Sequence, residues 1–277
     1  MAEPRPQIPY FKEFLPTPVC IGLSLFFAMV FQFNGGVFLP AATQMSSALG
    51  CIQEDVTMAA YASFIGMTVI FPILFRLKSR FTTRSIFMMV CPVLILCNLI
   101  TMHTDNIFLM ICVCFVSGFF PMWGTFECFS NTRLSITPSG NFSVFYPVIY
   151  IIVLESIQLS GLVTMHINDW ANWQYMHWFV IGMLMVVWIC VMCLTRTIRL
   201  GKKIPLYGID WIGLLLWTAM LFAIVFICIY GDFYDWLDSV QIRSCIVIAV
   251  VSLLININRM TSIRHPYIDP QVFRYKK

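Results

Sequence analysis

Charge is what this sequence has least of. Of its 277 residues, 11% are Asp, Glu, Lys or Arg, whereas average soluble domains contain about 25%. So few charged side chains cannot cover a soluble protein of this length without leaving large exposed apolar patches. Hydrophobic residues make up 60% of the chain. We therefore exclude a soluble globular protein and predict a polytopic membrane protein.

The motifs of common soluble enzymes are also missing. The sequence has no Gly-x-Ser-x-Gly elbow, no phosphate-binding Gly-rich loop and no His-Glu-x-x-His. Its 11 Cys lie mostly inside apolar runs without metal-ligand spacing, and its four His are not paired by spacing. We predict no enzymatic activity, no cofactor, no metal site and no nucleic-acid partner. For His103, His166 and His177 the expected position is the outer membrane interface.

Long apolar runs are abundant, and they predict the architecture. A helix that crosses about 30 Å of hydrocarbon needs about 20 mostly apolar residues, and membrane β-strands would alternate in polarity, which these runs do not. The fold class is therefore all-α, with eight transmembrane helices. The predicted spans are Thr17–Phe38, Val56–Leu77, Ser85–Met102, Ile107–Asn131, Phe142–Met165, Trp173–Leu194, Ile212–Tyr230 and Ser244–Ile257.

The few basic residues predict the orientation. With eight spans, every Lys and Arg except Arg243 falls on the same side of the membrane as the N-terminus. The opposite loops carry most of the Asp and Glu residues. Because basic loops stay in the cytoplasm during insertion, both termini are predicted to be cytoplasmic.

Three segments carry a resemblance to a known family. The first span leads into Asn-Gly-Gly-Val-Phe-Leu-Pro at 34–40, the loop after the second span reads Phe-Arg-Leu-Lys-Ser-Arg-Phe-Thr-Thr-Arg at 75–84, and Asp-Trp-Ile-Gly at 210–213 opens the seventh span. In this order and spacing they resemble the fourteen-span drug:proton antiporter branch of the major facilitator superfamily. Arg80 and Arg84 match basic positions of that family's loop motif.

The resemblance implies a domain organisation and a function. Residues 1–195 would form an N-terminal six-helix bundle, 196–208 a basic cytoplasmic linker, 209–258 two linker helices, and 259–277 a cytoplasmic tail. The implied function is secondary active, proton-coupled efflux of small amphipathic or drug-like molecules across a bacterial inner (plasma) membrane. The expected partners are the substrate, protons, membrane lipids, and either a second six-span half that this chain lacks or a second copy. A truncated frame or a fragment is the favoured interpretation, and a dimerising half is the alternative.

Glu155 is the strongest candidate for chemistry. An ionisable residue inside a membrane span costs about 2.5–3.5 kcal/mol on insertion scales, so it points to function. Gln158 lies three residues later on the same helical face. We expect Glu155 to couple protons or recognise cations, with Gln158 beside it. The alternative is a protonated Glu155 that hydrogen-bonds a neighbouring helix.

Glu127 lies nearer the cytoplasmic end of the fourth span. This depth suits an ion pair with Arg80 or Arg84 of the 75–84 loop, which also contains Arg76, and Arg133 is the rival partner. The resemblance implies that such a pair stabilises one conformational state. We therefore interpret Glu127 and the loop arginines as a gating latch rather than as substrate contacts.

Two groups of residues complete the candidate site. Gln32 and Asn34 lie beside a Gly35-Gly36 pair, so they either face substrate or form interhelical hydrogen bonds. The glycines would allow close helix approach or a kink. Helix kinks are also expected at three further positions, Pro121, Gly124 and Pro147, either as points where the helix bends during transport or as static kinks.

Two signatures of the family are absent, and these absences leave alternatives open. The basic residue expected in the fourth span would fall at Cys114, and Gly161 is all that remains of the Gly- and Pro-rich pattern of the fifth. A uniporter without proton coupling, or a non-transporting membrane enzyme or assembly subunit, are the alternative functions.

Overall fold

The computed structural model describes residue 8 and residues 10–34, 38–137, 142–197, 208–263 and 265–269. Gly35, Gly36 and Arg264 lie outside the described residues. The described chain is helical, with no strand beyond one isolated bridge between Phe11 and Thr195. The all-α prediction is therefore confirmed for this part of the chain. The helices are α1 (Thr17–Phe33), α2 (Phe38–Leu49), α3 (Gln53–Ile70), α4 (Leu74–Arg80), α5 (Thr83–His103), α6 (Ile107–Ile136), α7 (Phe142–Trp170), α8 (Gln174–Leu194), α9 (Trp211–Tyr230) and α10 (Val240–Ser262).

The number of spans differs from the prediction. Among the described residues, seven helical segments are long and apolar enough to cross a membrane, with α3 and α4 counted as one segment, Gln53–Arg80. The first predicted span corresponds to α1, which has only 17 residues and ends at Phe33. The predicted count of eight is therefore not confirmed. The last predicted span is longer than expected, because α10 runs for 23 residues.

Two local features were not predicted. A separate helix, α2, occupies residues expected to form a loop. The second span is also interrupted, since α3 ends at Ile70 and a 3-10 turn, Phe71–Ile73, leads into α4. Pro72 explains this break, because proline has no backbone N–H to donate to the preceding helical turn.

Helix starts are fixed by side-chain caps. The side chains of Thr82, Asn106, Asp210 and Ser239 each accept a hydrogen bond from a backbone N–H of the first turn of α5, α6, α9 and α10. Such caps satisfy donors that have no partner within the helix. These polar residues therefore mark the start of four membrane-spanning helices.

The centre of the bundle is the crossing of α3 and α6. A Cβ added to Gly66 would lie 2.3 Å from the backbone oxygen of Phe115, and one added to Gly118 would lie 2.1 Å from that of Ser63. Only glycine fits at so close a backbone approach. Other helices pack around this pair, with α1 and α5 against α6 and α8 against α5.

The outer helices are much less buried. In the α7 and α9 spans 17% of the residues are buried inside the protein, compared with 56% in Gln53–Arg80. Helix α7 packs against α1 and α2, while α9 packs against α3 and carries α10 on its other side. One broad side of each outer helix therefore faces away from the bundle.

The charges separate towards the two ends of the bundle. We define the basic end as the one with Arg80, Arg84 and Arg196, and the acidic end as the one with Asp55 and Asp105. The segment before α1 is folded into the basic end, where Ile8, Tyr10 and Phe11 are buried. The backbone N–H of Lys12 donates to Leu194 O at 3.0 Å, and that of Arg196 donates to Tyr10 O at 2.8 Å.

Candidate functional site

A buried carboxylate lies near the basic end of α6. The side chain of Glu127 is 1% exposed. Its Oε1 accepts hydrogen bonds from the Thr83 hydroxyl at 2.5 Å and from the Asn131 amide at 3.0 Å. Its Oε2 has no hydrogen bond but lies 4.0 Å from the Lys78 ammonium. The carboxylate thus joins α4, α5 and α6.

Lys78 completes this site from the α4 side. Its ammonium donates to the Ser130 hydroxyl and, at 3.2 Å, to Asn131 Oδ1. It also lies 6.0 Å from the centre of the Phe126 ring, within range of a cation–π contact. A buried carboxylate and a half-buried ammonium group therefore lie together, and each has hydrogen bonds, which is the arrangement that a low-dielectric interior requires.

The basic residue beside Glu127 is thus Lys78 and not one of the predicted arginines. Arg80, two residues along α4, is exposed, because two residues turn a helix by about 200°. Arg84 instead donates to the backbone oxygens of Thr195 and Met192 at 3.3 and 3.4 Å. This places a positive charge at the end of α8, where the helix dipole favours it.

Arg76 lies elsewhere, at the junction of α4 and the start of α9. A Cβ added to Gly208 would be 2.8 Å from its guanidinium. Among the described residues, the ion pairs are Lys78–Glu127, Arg196–Glu13 and Arg259–Asp210. Neither Arg76 nor the rival Arg133 is in an ion pair with Glu127. The gating role of these residues stays a prediction.

A second polar group, which we call the amide cluster, lies in the half of the bundle nearer the acidic end and consists of Asn34, Asn98 and His177. Asn98 Nδ2 donates to Asn34 Oδ1 at 2.6 Å and to Leu94 O at 2.8 Å. His177 Nδ1 lies 2.8 Å from Asn98 Oδ1, so it donates to that oxygen. The amide cluster therefore connects α1, α5 and α8.

The side chain of His177 is buried. It is 1% exposed and lies inside the bundle, in the first turn of α8, and its depth relative to the membrane interface stays a prediction. The ring of Trp173 meets it edge-on, with centroids 5.7 Å apart. Sequence position near the end of a span does not tell which helical face a residue occupies, and the Asn98 amide provides the buried partner.

The cavity beside the amide cluster is too small for a drug-like molecule. It is lined by Asn34, Cys97, Asn98, Thr101 and Ser117, and its volume is about 10 Å³. That is about the room needed for one water. Gln32 lies two residues earlier in the chain than Asn34, and its Nε2 donates to the Thr125 hydroxyl at 2.9 Å. For Gln32 and Asn34, the structure therefore contains the interhelical hydrogen bonds that were one of the two alternatives.

Glu155 and Gln158 lie on the face of α7 that points away from the bundle. Both are exposed, and no hydrogen bond or ion pair joins Glu155 to another described residue. The face of α7 that packs inwards carries small hydroxyl residues instead, and Ser160 donates to the backbone oxygen of Phe33 at 3.0 Å. Glu155 is about 20 Å along the helix from either end of α7. The four residues predicted at one site therefore form two separate groups.

The positions predicted to kink lie within continuous helices. Pro121 is inside α6 and Pro147 inside α7. Gly124 has a packing role, since an added Cβ would be 2.6 Å from the Phe31 ring of α1. Bending at these positions stays a prediction.

A third carboxylate lies at the basic end, outside the spans. Asp210 accepts from the Gly213 N–H at 2.9 Å and from the Arg259 guanidinium at 2.5 Å. Burial alone would raise the pKa of Asp210, but the hydrogen bonds from Arg259 and Gly213, with the charge of Arg259, together lower it below its ordinary value. Asp210 thus holds the start of α9 to the end of α10.

Sequence reasoning missed Lys78, Thr83, Asn98, Asn131 and Tyr10. Asn98 had a detectable signal, because an amide within an apolar run needs a buried partner. Tyr10 and Thr83 had none, since they lie in short segments outside the apolar runs. Among the described residues, no three His, Cys, Asp or Glu side chains are grouped as a metal site would require.

Comparison with known proteins adds no relative. No protein-family profile matches the chain, and no curated protein matches it. The helices themselves define the class, an all-helical integral membrane protein. The major facilitator resemblance remains a prediction.

Proposed function

We propose that this chain is a bundle of a secondary transporter of the major facilitator type. It exports small amphipathic or drug-like molecules and couples their movement to protons across a bacterial inner membrane, with both termini in the cytoplasm. The single observation that carries this proposal is the position of Glu155 and Gln158. They lie near the middle of a membrane-spanning helix, on a face that no described residue covers.

The cost of exposing Glu155 to lipid supports a covering partner. A charged residue at the bilayer centre costs about 2.5–3.5 kcal/mol on insertion scales, so such residues face other protein or a water-filled cavity. The polar side chains Gln32, Asn98 and Glu127 have partners inside this bundle. The partner we propose is a second six-helix bundle, either another half of the transporter or a second copy of the chain.

The small cavity at the amide cluster supports a substrate site at the same exposed face of α7. That cavity has room for about one water, so a drug-like molecule does not fit among the buried polar residues. Facilitator-type transporters bind substrate between two halves near the midplane. Glu155 would then take up and release the proton, while Gln158 hydrogen-bonds substrate.

The Glu127–Lys78 pair is the latch in this proposal. It joins α4, α5 and α6 at the basic end, and breaking it would free α4 to move. Lys78 takes the role that the sequence predicted for Arg80 or Arg84.

Carbodiimide labelling of the full chain in proteoliposomes tests the proposal. Dicyclohexylcarbodiimide dissolves in the bilayer and modifies protonated carboxyl groups. We expect Glu155 to be labelled, and an amphipathic cation to protect it. Glu127, which is buried and hydrogen-bonded, is the internal control and should not react. An imposed pH gradient should also drive accumulation of the cation, and the Glu155→Gln variant should abolish it.

The alternative, an assembly subunit without transport, is favoured by the closed interior of the bundle. It predicts a different result from the same preparation. If Glu155 is labelled but the cation neither protects it nor accumulates, transport by this chain alone or by two copies of it is excluded, and the α7 face is an assembly surface.

A further inference from the structure

An apolar groove lies beside the break in the second span. Its volume is about 460 Å³, within the range of about 300–1,000 Å³ typical of ligand sites. It runs between the end of α3 and the first half of α9, and it opens on the side of the bundle. The side chains that line it include Met67, Phe71, Met122, Trp217, Leu221 and Ile268.

A hydrogen bond connects the two walls of the groove. At Pro72 the helix tightens into a 3-10 turn, and the Val69 carbonyl accepts a hydrogen bond from the Tyr267 hydroxyl. Tyr267 thereby fastens the segment after α10 to the end of α3. Burial raises the pKa of Tyr267, so its hydroxyl keeps its proton and remains a donor at physiological pH. One wall of the groove is therefore fixed to the other.

A polar niche adjoins the groove at the basic end. It shares Pro72 and Tyr267 with the groove, has a volume of about 70 Å³, and is also lined by Arg76, Gly208 and Asp210. Asp210 is already bonded by Arg259 and by the Gly213 N–H. Arg76 is half-buried and has no ion-pair partner among the described residues. The niche therefore offers one unneutralised guanidinium.

The depths of the charged and apolar parts match the shape of a phospholipid. Met67 lies about 14 Å deeper along the second span than Arg76, and Leu221 lies about 15 Å from the start of α9. A headgroup phosphate at Arg76 would therefore place an acyl chain along the groove. Arginine is well suited to phosphate, because its fork of N–H donors makes paired hydrogen bonds.

We propose that the groove binds one anionic phospholipid, with its phosphate on Arg76 and an acyl chain between α3 and α9. A zwitterionic lipid would bind less well, because its ammonium or choline group would sit beside the Arg76 charge. The bound lipid would brace α9 and α10 against the first bundle at its basic end. This binding requires no transport cycle, so it does not depend on the proposed function.

Trp217 lines the groove, so its fluorescence reports whether an acyl chain lies there. The full chain is purified in nonionic detergent micelles, which carry no surface charge, and titrated with phosphatidylglycerol brominated on its acyl chains. The signal is the Trp217 emission, taken as the difference between the protein and its Trp217→Phe variant. We expect saturable quenching by brominated phosphatidylglycerol at concentrations where brominated phosphatidylcholine quenches little.

Two arginine variants distinguish binding at the niche from a general electrostatic attraction of the anionic lipid to the protein. Arg76→Gln should raise the lipid concentration that gives half-maximal quenching by about tenfold. This corresponds to the lower range for a hydrogen bond between charged groups. Arg80→Gln is the matched control, because Arg80 is exposed on the same helix and does not line the niche. It should change the binding by less than about twofold. Equal effects of the two variants would overturn the proposal.

Two further measurements test whether the acyl chain occupies the groove. Leu221→Trp fills the groove without touching Arg76, and native mass spectrometry should then find no retained phosphatidylglycerol where the unmodified protein retains one. Retention by a variant with unchanged helical circular dichroism would contradict the groove as the site. Excess inorganic phosphate should not reverse the quenching; reversal would mean that the niche binds phosphate and that the acyl chain contributes nothing.

Discussion

Glu127 and Glu155 are carboxylates in neighbouring helices with opposite surroundings. Glu127 is buried, accepts two hydrogen bonds and faces an ammonium group. Glu155 is exposed on the outer face of α7, and no described side chain bonds it. Sequence alone distinguishes them by their depth in the spans, but it does not show that one is buried and the other exposed. The difference between them separates a group that connects helices within this bundle from a group that, in the proposed function, faces a second bundle.

The largest expected effect comes from removing the buried carboxylate. Glu127→Ala leaves the half-buried Lys78 ammonium beside a gap and takes an acceptor from Thr83 and Asn131, so we expect a loss of about 3–5 kcal/mol in the free energy of unfolding. Equilibrium unfolding in mixed micelles measures it. Glu127→Gln is the control, since it retains an oxygen for Thr83 and should lose less. Unchanged stability of the Ala variant would remove the contrast with Glu155.

The opposite sign is expected at Glu155. Glu155→Leu removes a lipid-exposed carboxylate, so membrane insertion of α7 should become more favourable by about 2.5–3.5 kcal/mol. A translocon insertion assay on this chain measures the change. Asp169→Leu, at the end of the same helix, serves as control and should change insertion little. Less favourable insertion of the Glu155→Leu variant would mean that Glu155 already has a partner within this chain.

A smaller loss is expected within the amide cluster. Asn98→Leu removes the donor to Asn34 and the acceptor of His177 Nδ1, and leaving such groups unmatched costs about 1–3 kcal/mol. Gln158→Leu, on the exposed α7 face, should stay within about 0.5 kcal/mol. Thermal unfolding in the same detergent compares the two variants. Equal losses would show that the inner and outer polar residues do not differ in their contribution.

The positions of most helices were predictable because hydrocarbon thickness sets the length of apolar runs. The sequence also placed Glu127 near the end of its helix. It did not reveal Lys78 as its neighbour, because the choice between Lys78 and Arg80 depends on how α4 is rotated against α6. Gly66 and Gly118 set the approach of α3 to α6, and α4 follows only after the break at Pro72. A hydropathy pattern contains neither feature.

The missed features have a related cause. Pro72 lies near the end of a span, where a proline either ends a helix or bends it, and the Tyr267 hydroxyl donates to the Val69 carbonyl beside the break. Tyr10 belongs to a short segment outside any apolar run, yet it is fully buried. Both depend on residues far apart in the chain, so local pattern carries little information about them.

Asp210 provides the smallest test, because it is a satisfied carboxylate outside the hydrocarbon. Its pKa is lowered in the folded protein, so its contribution to stability is present above the unfolded-state value of about 4 and is lost as the pH falls through the lower folded-state value. Asp210→Asn should therefore cost about 1 kcal/mol at pH 7, in the range of one hydrogen bond, and the difference from the unmodified protein should vanish in acid. Thermal unfolding in detergent between neutral and acidic pH follows this convergence, with Asp105→Asn as an exposed control. No difference at neutral pH would mean that the amide is as good a partner for Arg259 as the carboxylate. Pairing would then matter for these acids only where lipid surrounds them, which would restrict the contrast between Glu127 and Glu155 to the membrane interior.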